Sequence, residues 1–121
     1  MVRIGVDIIE IERLDRAVKR HPRLITRLFT AKEQEYCFKR HRVAASLAVR
    51  FAAKEAVLKM LGVGLGYCSF KDIEILRKEG SAPSIVLHGK AKELARSLGL
   101  KDICVSLSHC HDYATAMVFA S

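Results

Sequence analysis

The spacing of apolar residues changes period several times along the chain, and each change marks an element. Residues 2–9 form an apolar, β-branched run and read as a first strand. From residue 10 to 20 the period becomes helical. Ile11, Leu14 and Val18 fall on one face, and Arg13, Arg16 and Arg20 fall on the opposite one. Pro22 interrupts this helix, and residues 24–29 make a second, short one. Thr30-Ala-Lys-Glu33 has the form of a capping box, which predicts a helix over residues 31–38. Residues 43–61 are rich in alanine and leucine with no breaker, and predict the longest helix. The glycines of Gly62-Val-Gly-Leu-Gly66 end it in a flexible turn. Residues 73–77 and 85–88 read as strands joined by a hairpin-like connection. Residues 89–97 read as a short helix closed by Gly99. Residues 103–108 and 114–119 form a last strand pair, with 109–113 as the turn between them. The order predicts an α+β fold: a mainly antiparallel sheet, one long helix and several short helices. With 121 residues and no repeat or linker, a single domain spanning 1–121 is expected.

Composition narrows the class. Half of the residues are hydrophobic, yet no run approaches the roughly 20 apolar residues that span a bilayer. The first residues lack the layout of a signal peptide, because charge arrives before any long apolar stretch. Cys37, Cys68, Cys104 and Cys110 form no C-x-x-C pair and read as reduced thiols, so a cytoplasmic location is expected. The formal charge is +8, which points to an acidic or phosphorylated partner. That charge is concentrated. Arg13, Arg16, Lys19, Arg20, Arg23 and Arg27 stand against one acid, Asp15, and residues 39–42 add a second basic cluster.

Three groups able to do chemistry interrupt apolar runs. Asp7 lies in Ile4-Gly-Val-Asp-Ile-Ile9 and shares a strand face with Gly5 and Ile9. Glu55 lies in Arg50-Phe-Ala-Ala-Lys-Glu-Ala56, and Lys59 follows one helical turn later. His109 follows Val105-Ser-Leu-Ser108. A carboxylate among residues that favour burial costs several kcal/mol unless it is paired or metal-bound. Spacing alone leaves each one open. Glu55 and Lys59 fit a surface ion pair as well as a metal site with a phosphate ligand. Asp7 fits an edge-strand acid or a helix cap, and His109 fits a locally bonded turn residue. His109-Cys110-His111 also resembles a metal tract, although neighbouring strand residues point to opposite faces.

Taken in order, these segments resemble the holo-[acyl-carrier-protein] synthases, the small bacterial type of 4′-phosphopantetheinyl transferase. The resemblance is carried by Gly5-Val-Asp7 leading into Ile9-Glu-Ile-Glu-Arg-Leu14, and by Leu28-Phe-Thr30. It continues through Arg50-Phe-Ala-Ala-Lys-Glu-Ala56 with Lys59 and Gly62, then Asp72-Ile-Glu74, Val105-Ser-Leu-Ser-His109 and Asp112-Tyr-Ala114. It implies transfer of the 4′-phosphopantetheine arm of coenzyme A to a serine of apo acyl carrier protein, releasing 3′,5′-ADP, in support of fatty acid biosynthesis. It also implies Mg²⁺ held by Asp7 and Glu55, with Asp7, Glu55 and Lys59 as the catalytic groups. Arg50, Lys54, Gly62, Gly64 and His109 would bind coenzyme A. Either Glu55 or a metal-bound water would be the general base. Arg13, Arg16 and Arg20 are expected to dock the acidic carrier protein. A homotrimer with each active site between neighbouring subunits is also implied. Val63 departs from the small hydroxyl residue of many relatives, and Cys110 and His111 from more usual polar or basic ones. A small basic nucleic-acid-binding module is the competing reading. It leaves Asp7 and Glu55 without a purpose, because acids repel a phosphate backbone.

Overall fold

The computed structural model describes residues 1–121. Its elements follow in the order β1 (Arg3–Glu10), α1 (Ile11–Arg20), α2 (Arg23–Leu28), α3 (Ala31–Phe38), α4 (Val43–Leu61), a 3₁₀ turn (Phe70–Asp72), β2 (Ile73–Leu76), β3 (Ser84–Leu87), α5 (Gly89–Ser97), β4 (Ile103–His109) and β5 (Tyr113–Ala120). The architecture is α+β, and every strand pair is antiparallel. The strands divide into two sheets, β1-β5-β4 and β2-β3. A cleft of about 630 Å³, lined by Ile85, Leu87, Arg96, Leu100 and Ile103, lies between β3 and the start of β4.

Helix α4 lies against the inner face of the larger sheet. Alternation along β5 turns Ala114, Ala116, Val118 and Ala120 inward. Ala116, Val118 and Ala120 meet Ala52, Ala53, Ala56, Val57 and Met60 of α4, and Ile73, Ile75, Ala91 and Ala95 complete that part of the core, while Ala114 packs in the second cluster. A second cluster gathers Ile11, Leu14 and Val18 of α1 with Leu28, Phe29, Cys37, Ala48 and Val49. Alanine on both sides lets backbone approach backbone, and the approach is closest at Gly5. A Cβ placed there would overlap the carbonyl oxygen of Ala56 and lie 2.8 Å from the Met60 nitrogen. Glycine at position 5 is therefore a packing requirement of the crossing between β1 and α4.

The predicted local signals operate. Thr30 Oγ1 accepts from the Glu33 N–H at 3.2 Å, and Glu33 Oε1 accepts from the Thr30 N–H at 2.8 Å, completing the capping box. Helix α4 ends at Gly62 with φ of +79°, a left-handed conformation that suits glycine. Several boundaries differ by one residue, and one of these shifts moves a candidate site residue. The strand β4 continues through His109, which pairs with Ala114, so the turn is confined to residues 110–112. Arg42 clamps it by donating to the carbonyl oxygens of Cys110 (3.1 Å) and His111 (2.9 Å).

Gly5→Ala is expected to lower stability by about 3 kcal/mol, at the severe end of overpacking, because neither backbone can yield alone. Urea denaturation checks this. A midpoint equal to that of the unsubstituted protein would show that the crossing is not tight.

Candidate active site

Asp7 enters the site because Gly5, Asp7 and Ile9 face inward from β1, over the last turns of α4. Lys59 crosses from α4 to donate to Asp7 Oδ1 at 3.0 Å and to the Val6 carbonyl oxygen at 3.1 Å. The Glu55–Lys59 surface pair that spacing permits does not form, because the lysine is drawn to the strand. Glu55 is left half-buried beside Asp7 and makes no hydrogen bond. Burial pushes its carboxyl above the ordinary glutamate value, and the negative charge of Asp7 pushes it further. The Lys59 ammonium opposes both.

Both acids open onto a cavity of about 710 Å³. Its lining is mainly apolar, with Ile9, Leu14, Phe51 and Phe70 among the walls, and Arg13 on its rim. Phe51 and Phe70 stack at 5.4 Å between centroids. The chemistry of the donor set suits a hard divalent cation. Mg²⁺ takes oxygen ligands, needs only one or two carboxylates, and completes its octahedron with phosphate oxygens and water. Two adjacent carboxylates, one without any partner, meet that requirement. Nowhere in the chain do three or more His, Cys, Asp or Glu side chains converge as an all-protein metal cage would need.

A second pocket, basic in its lining, lies apart from the first. Arg50 and His109 share a cavity of about 330 Å³ with Arg40, Arg77, Ser46 and Ser108. Arg50 is only 3% exposed, and its guanidinium lies 4.3 Å from the Tyr36 ring centroid; Arg40 stands 4.4 Å from the same ring. Arg50 Nη1 donates to the Ser46 carbonyl oxygen at 3.2 Å, while the Nε atoms of Arg40 and Arg50 are buried with no partner. A buried guanidinium with an unmet donor is an anion-binding arrangement. Sequence reasoning missed Arg40, Arg77 and Tyr36 as members of this pocket. Arg40 and Tyr36 sit four residues apart, a readable signal; Arg77 carries none.

Lys54 requires a correction. The expectation that it binds a coenzyme A phosphate fails on its surroundings. The side chain is fully buried, and its ammonium donates to Glu33 Oε1 (2.7 Å), the Phe70 carbonyl oxygen (3.0 Å) and the Ile73 carbonyl oxygen (2.7 Å). Its three protons are all used, so none remains for a phosphate. Burial lowers its pKa, and the Glu33 carboxylate works against that shift. Gly62 serves as the left-handed cap of α4, and Gly64 has open space where a Cβ would stand. Arg13, Arg16 and Arg20 are exposed on α1, opposite the buried Ile11, Leu14 and Val18.

The raised Glu55 carboxyl has a consequence for stability. A carboxyl with a folded pKa above its unfolded value favours folding while protonated, and loses that contribution as pH rises through the folded pKa. With divalent cations chelated, Glu55→Gln should therefore melt higher than the unsubstituted protein at pH 7. The difference should vanish in acid, below the ordinary glutamate range. Paired thermal melts check it, and a variant that melts lower at pH 7 would contradict the assigned environment.

Comparison with known proteins gives the family of the chain. The sequence pattern of the 4′-phosphopantetheinyl transferase superfamily matches residues 3–118. The holo-[acyl-carrier-protein] synthase of Moorella thermoacetica is 61% identical over 117 residues, covering 97% of this chain and 91% of the relative. That of Alkaliphilus metalliredigens is 44% identical over 118 residues, covering 98% and 97%. Among solved structures, the Helicobacter pylori holo-[acyl-carrier-protein] synthase in complex with coenzyme A superposes with a TM-score of 0.84 at 35% identity, covering 98% of this chain and 99% of that one. The Neisseria meningitidis synthase does so with a TM-score of 0.88 at 30% identity, covering 100% and 99%. The chain belongs to the 4′-phosphopantetheinyl transferase superfamily, among its holo-[acyl-carrier-protein] synthases.

Proposed function

We propose that this synthase transfers the phosphopantetheine arm of coenzyme A to a carrier-protein serine at the cavity bounded by β1, α1 and α4. Asp7, Glu55 and Lys59 are its working groups. The observation that carries the assignment is Glu55: a half-buried carboxylate with no partner, next to a second carboxylate, at the mouth of an apolar cavity. In the reaction the serine oxygen bonds to the phosphorus that bears the arm, the pyrophosphate bond breaks, and 3′,5′-ADP leaves. Charge must be stabilised on phosphate oxygens and on the leaving group. Asp7 and Glu55 would hold Mg²⁺, which when bound neutralises pyrophosphate charge. Lys59 is 57% exposed at its side chain and keeps donor capacity beyond its two contacts, so it can place a proton or a positive charge on the leaving phosphate. Glu55 would also take the serine proton, directly or through a water that it orients. The apolar walls exclude competing water.

Arg50 and His109 would receive a further phosphate of coenzyme A, together with Arg40 and Arg77. This pocket and the Asp7–Glu55 cavity share no lining residue. One coenzyme A reaches both most simply if the two pockets come from neighbouring copies of the chain. An exposed apolar face supports that arrangement. Ile4, Val6 and Ile8 of β1 stand beside Met117 and Phe119 of β5 on the outer side of the sheet, and register pairs Ile4 with Phe119 and Val6 with Met117. A continuous apolar sheet face of this kind marks an association surface. We assign it to the homotrimer. Gly62 and Gly64 would shape the loop whose Leu65 closes the cavity. Arg13, on the cavity rim, with Arg16 and Arg20 farther along α1, would dock the acidic carrier protein so that its serine meets Glu55. No helix is long and apolar enough to cross a membrane. We place the enzyme in the cytoplasm, where its four free cysteines would stay reduced. The nucleic-acid reading is set aside with the family shown.

Mass spectrometry of an apo carrier protein incubated with coenzyme A and Mg²⁺ tests the assignment. Asp7→Ala and Glu55→Ala should remain folded and lose at least about 100-fold in rate, as removal of a central electrostatic group does. Mg²⁺ should raise the melting temperature of the unsubstituted protein and of neither variant. A variant that kept its rate at limiting Mg²⁺ would not be a metal ligand.

Reversing Arg13 and Arg20 to Glu should raise the KM for carrier protein and leave that for coenzyme A unchanged, and added salt should weaken the unsubstituted enzyme at low carrier concentration. Equal loss for both substrates would remove α1 as the docking surface. Val6→Glu with Met117→Glu should yield a monomer by light scattering, with transfer largely lost. A trimer of full activity would place the interface elsewhere.

A further inference from the structure

The fully buried lysine beside Glu55 connects three parts of the fold. Glu33 Oε1 takes the Lys54 ammonium and the Thr30 N–H, and Glu33 Oε2 takes the Ile75 N–H at 2.9 Å. Lys54 in turn holds the carbonyl oxygens of Phe70 and Ile73. One ion pair thus ties the start of α3, the middle of α4 and the segment from Phe70 to Ile75. A buried ion pair is weak evidence for stability, since a well-packed apolar pair often does as well. Its location is more informative. Phe70 lines the cavity onto which Glu55 opens, and its ring stacks on Phe51. Phe51 lies one helical turn before Glu55, and Lys54 immediately before it. The backbone of the cavity wall is therefore anchored to the same turn of α4 that carries the reacting carboxylate.

We infer that the Glu33–Lys54 pair is a positioning device for the transfer reaction: by fixing the backbone at Phe70 and Ile73, it holds the aromatic wall at a set distance from Glu55. Neither residue touches substrate. The inference rests on the site assignment of the preceding subsection. It accounts for the buried charge, which packing alone does not require. An apolar pair would fill the space but leave two carbonyl oxygens and the Ile75 N–H without their partners, and the wall free to shift. Misplacement of about 1 Å near reacting groups can cost 100-fold in rate.

The chain has no tryptophan, so Phe70→Trp supplies a single fluorescent reporter in the wall. Lys54→Met and Glu33→Gln are made with and without it and studied well below their melting temperatures, where circular dichroism matches that of the unsubstituted protein. Lys54→Met should lower kcat at least about tenfold while KM for carrier protein stays within about twofold. Emission from the introduced indole, read without substrate, should move to longer wavelength and become more accessible to acrylamide. If Lys54→Met does not fold, Glu33→Gln decides. It keeps an acceptor for Lys54 but loses the oxygen that holds Ile75, so a smaller change in the same direction is expected. A pair with only a structural role would lower the melting temperature and leave kcat and emission of the folded enzyme unchanged, which overturns the inference. A shifted emission with unchanged kcat also overturns it. Because the emission needs no substrate, this outcome is separable from failure of the Asp7 and Glu55 assignment, which would appear as full activity in those alanine variants.

Discussion

The crossing of β1 over α4 is the contact on which the rest of the site depends. It is possible because Gly5 has no side chain where the Ala56 carbonyl oxygen needs the space. Once the two backbones meet there, Asp7 lies two residues further along the strand and Glu55 one residue before Ala56 on the helix. Lys59 lies within reach of both Asp7 and the Val6 carbonyl. A wider crossing would separate the carboxylates and with them the pair able to share a cation; burial, the larger cause of the raised Glu55 carboxyl, would weaken as well. Close packing and reactivity are thus one constraint. The alanines of α4 and β5 set the spacing of the two carboxylates although they carry no polar side chain.

Charge is sorted by depth. On the surface, α1 presents arginines whose individual contacts with a partner are weak and whose common field is not. At the mouth of the cavity, Asp7, Glu55 and Lys59 remain partly solvated and can exchange partners as substrate arrives. Beneath them, Glu33 and Lys54 are fully enclosed and fully bonded. On the roles proposed above, the outermost charges would bring a partner, the middle ones would react, and the innermost would hold geometry. Arg50 belongs to a separate group, buried but with an unmet donor.

Much of the fold is legible in local signals. The helices α3, α4 and α5 begin and end where Thr30, Gly62 and Gly99 place them, because capping and a left-handed turn depend only on neighbours in sequence. The inward face of β1 follows from strict alternation. Periodicity puts His109 in a turn, and the structure puts it in β4, because strand pairing with Ala114 is non-local, as is the Arg42 clamp on the shortened turn. The split into two sheets is equally invisible, since hydrogen-bond ladders between distant strands leave no mark in either strand's own pattern.

Local pattern specifies which side chains are available and on which face of which element they stand. That is enough to make Asp7, Glu55, Lys59 and the arginine stripe of α1 candidates, because periodicity and the cost of burying charge are local properties. Spacing leaves the two acids and the lysine open, and the family resemblance supplies their roles. Their partners are set by how the elements assemble. Assembly draws Lys59 to Asp7 instead of to Glu55, one turn away on its own helix. It encloses Lys54 with Glu33, 21 positions distant, and so removes it from phosphate binding. It also brings Arg77 to Arg50 and His109. A long side chain is claimed by whichever acceptor the fold brings within about 3 Å, and that acceptor is fixed by how elements cross, which no local pattern records.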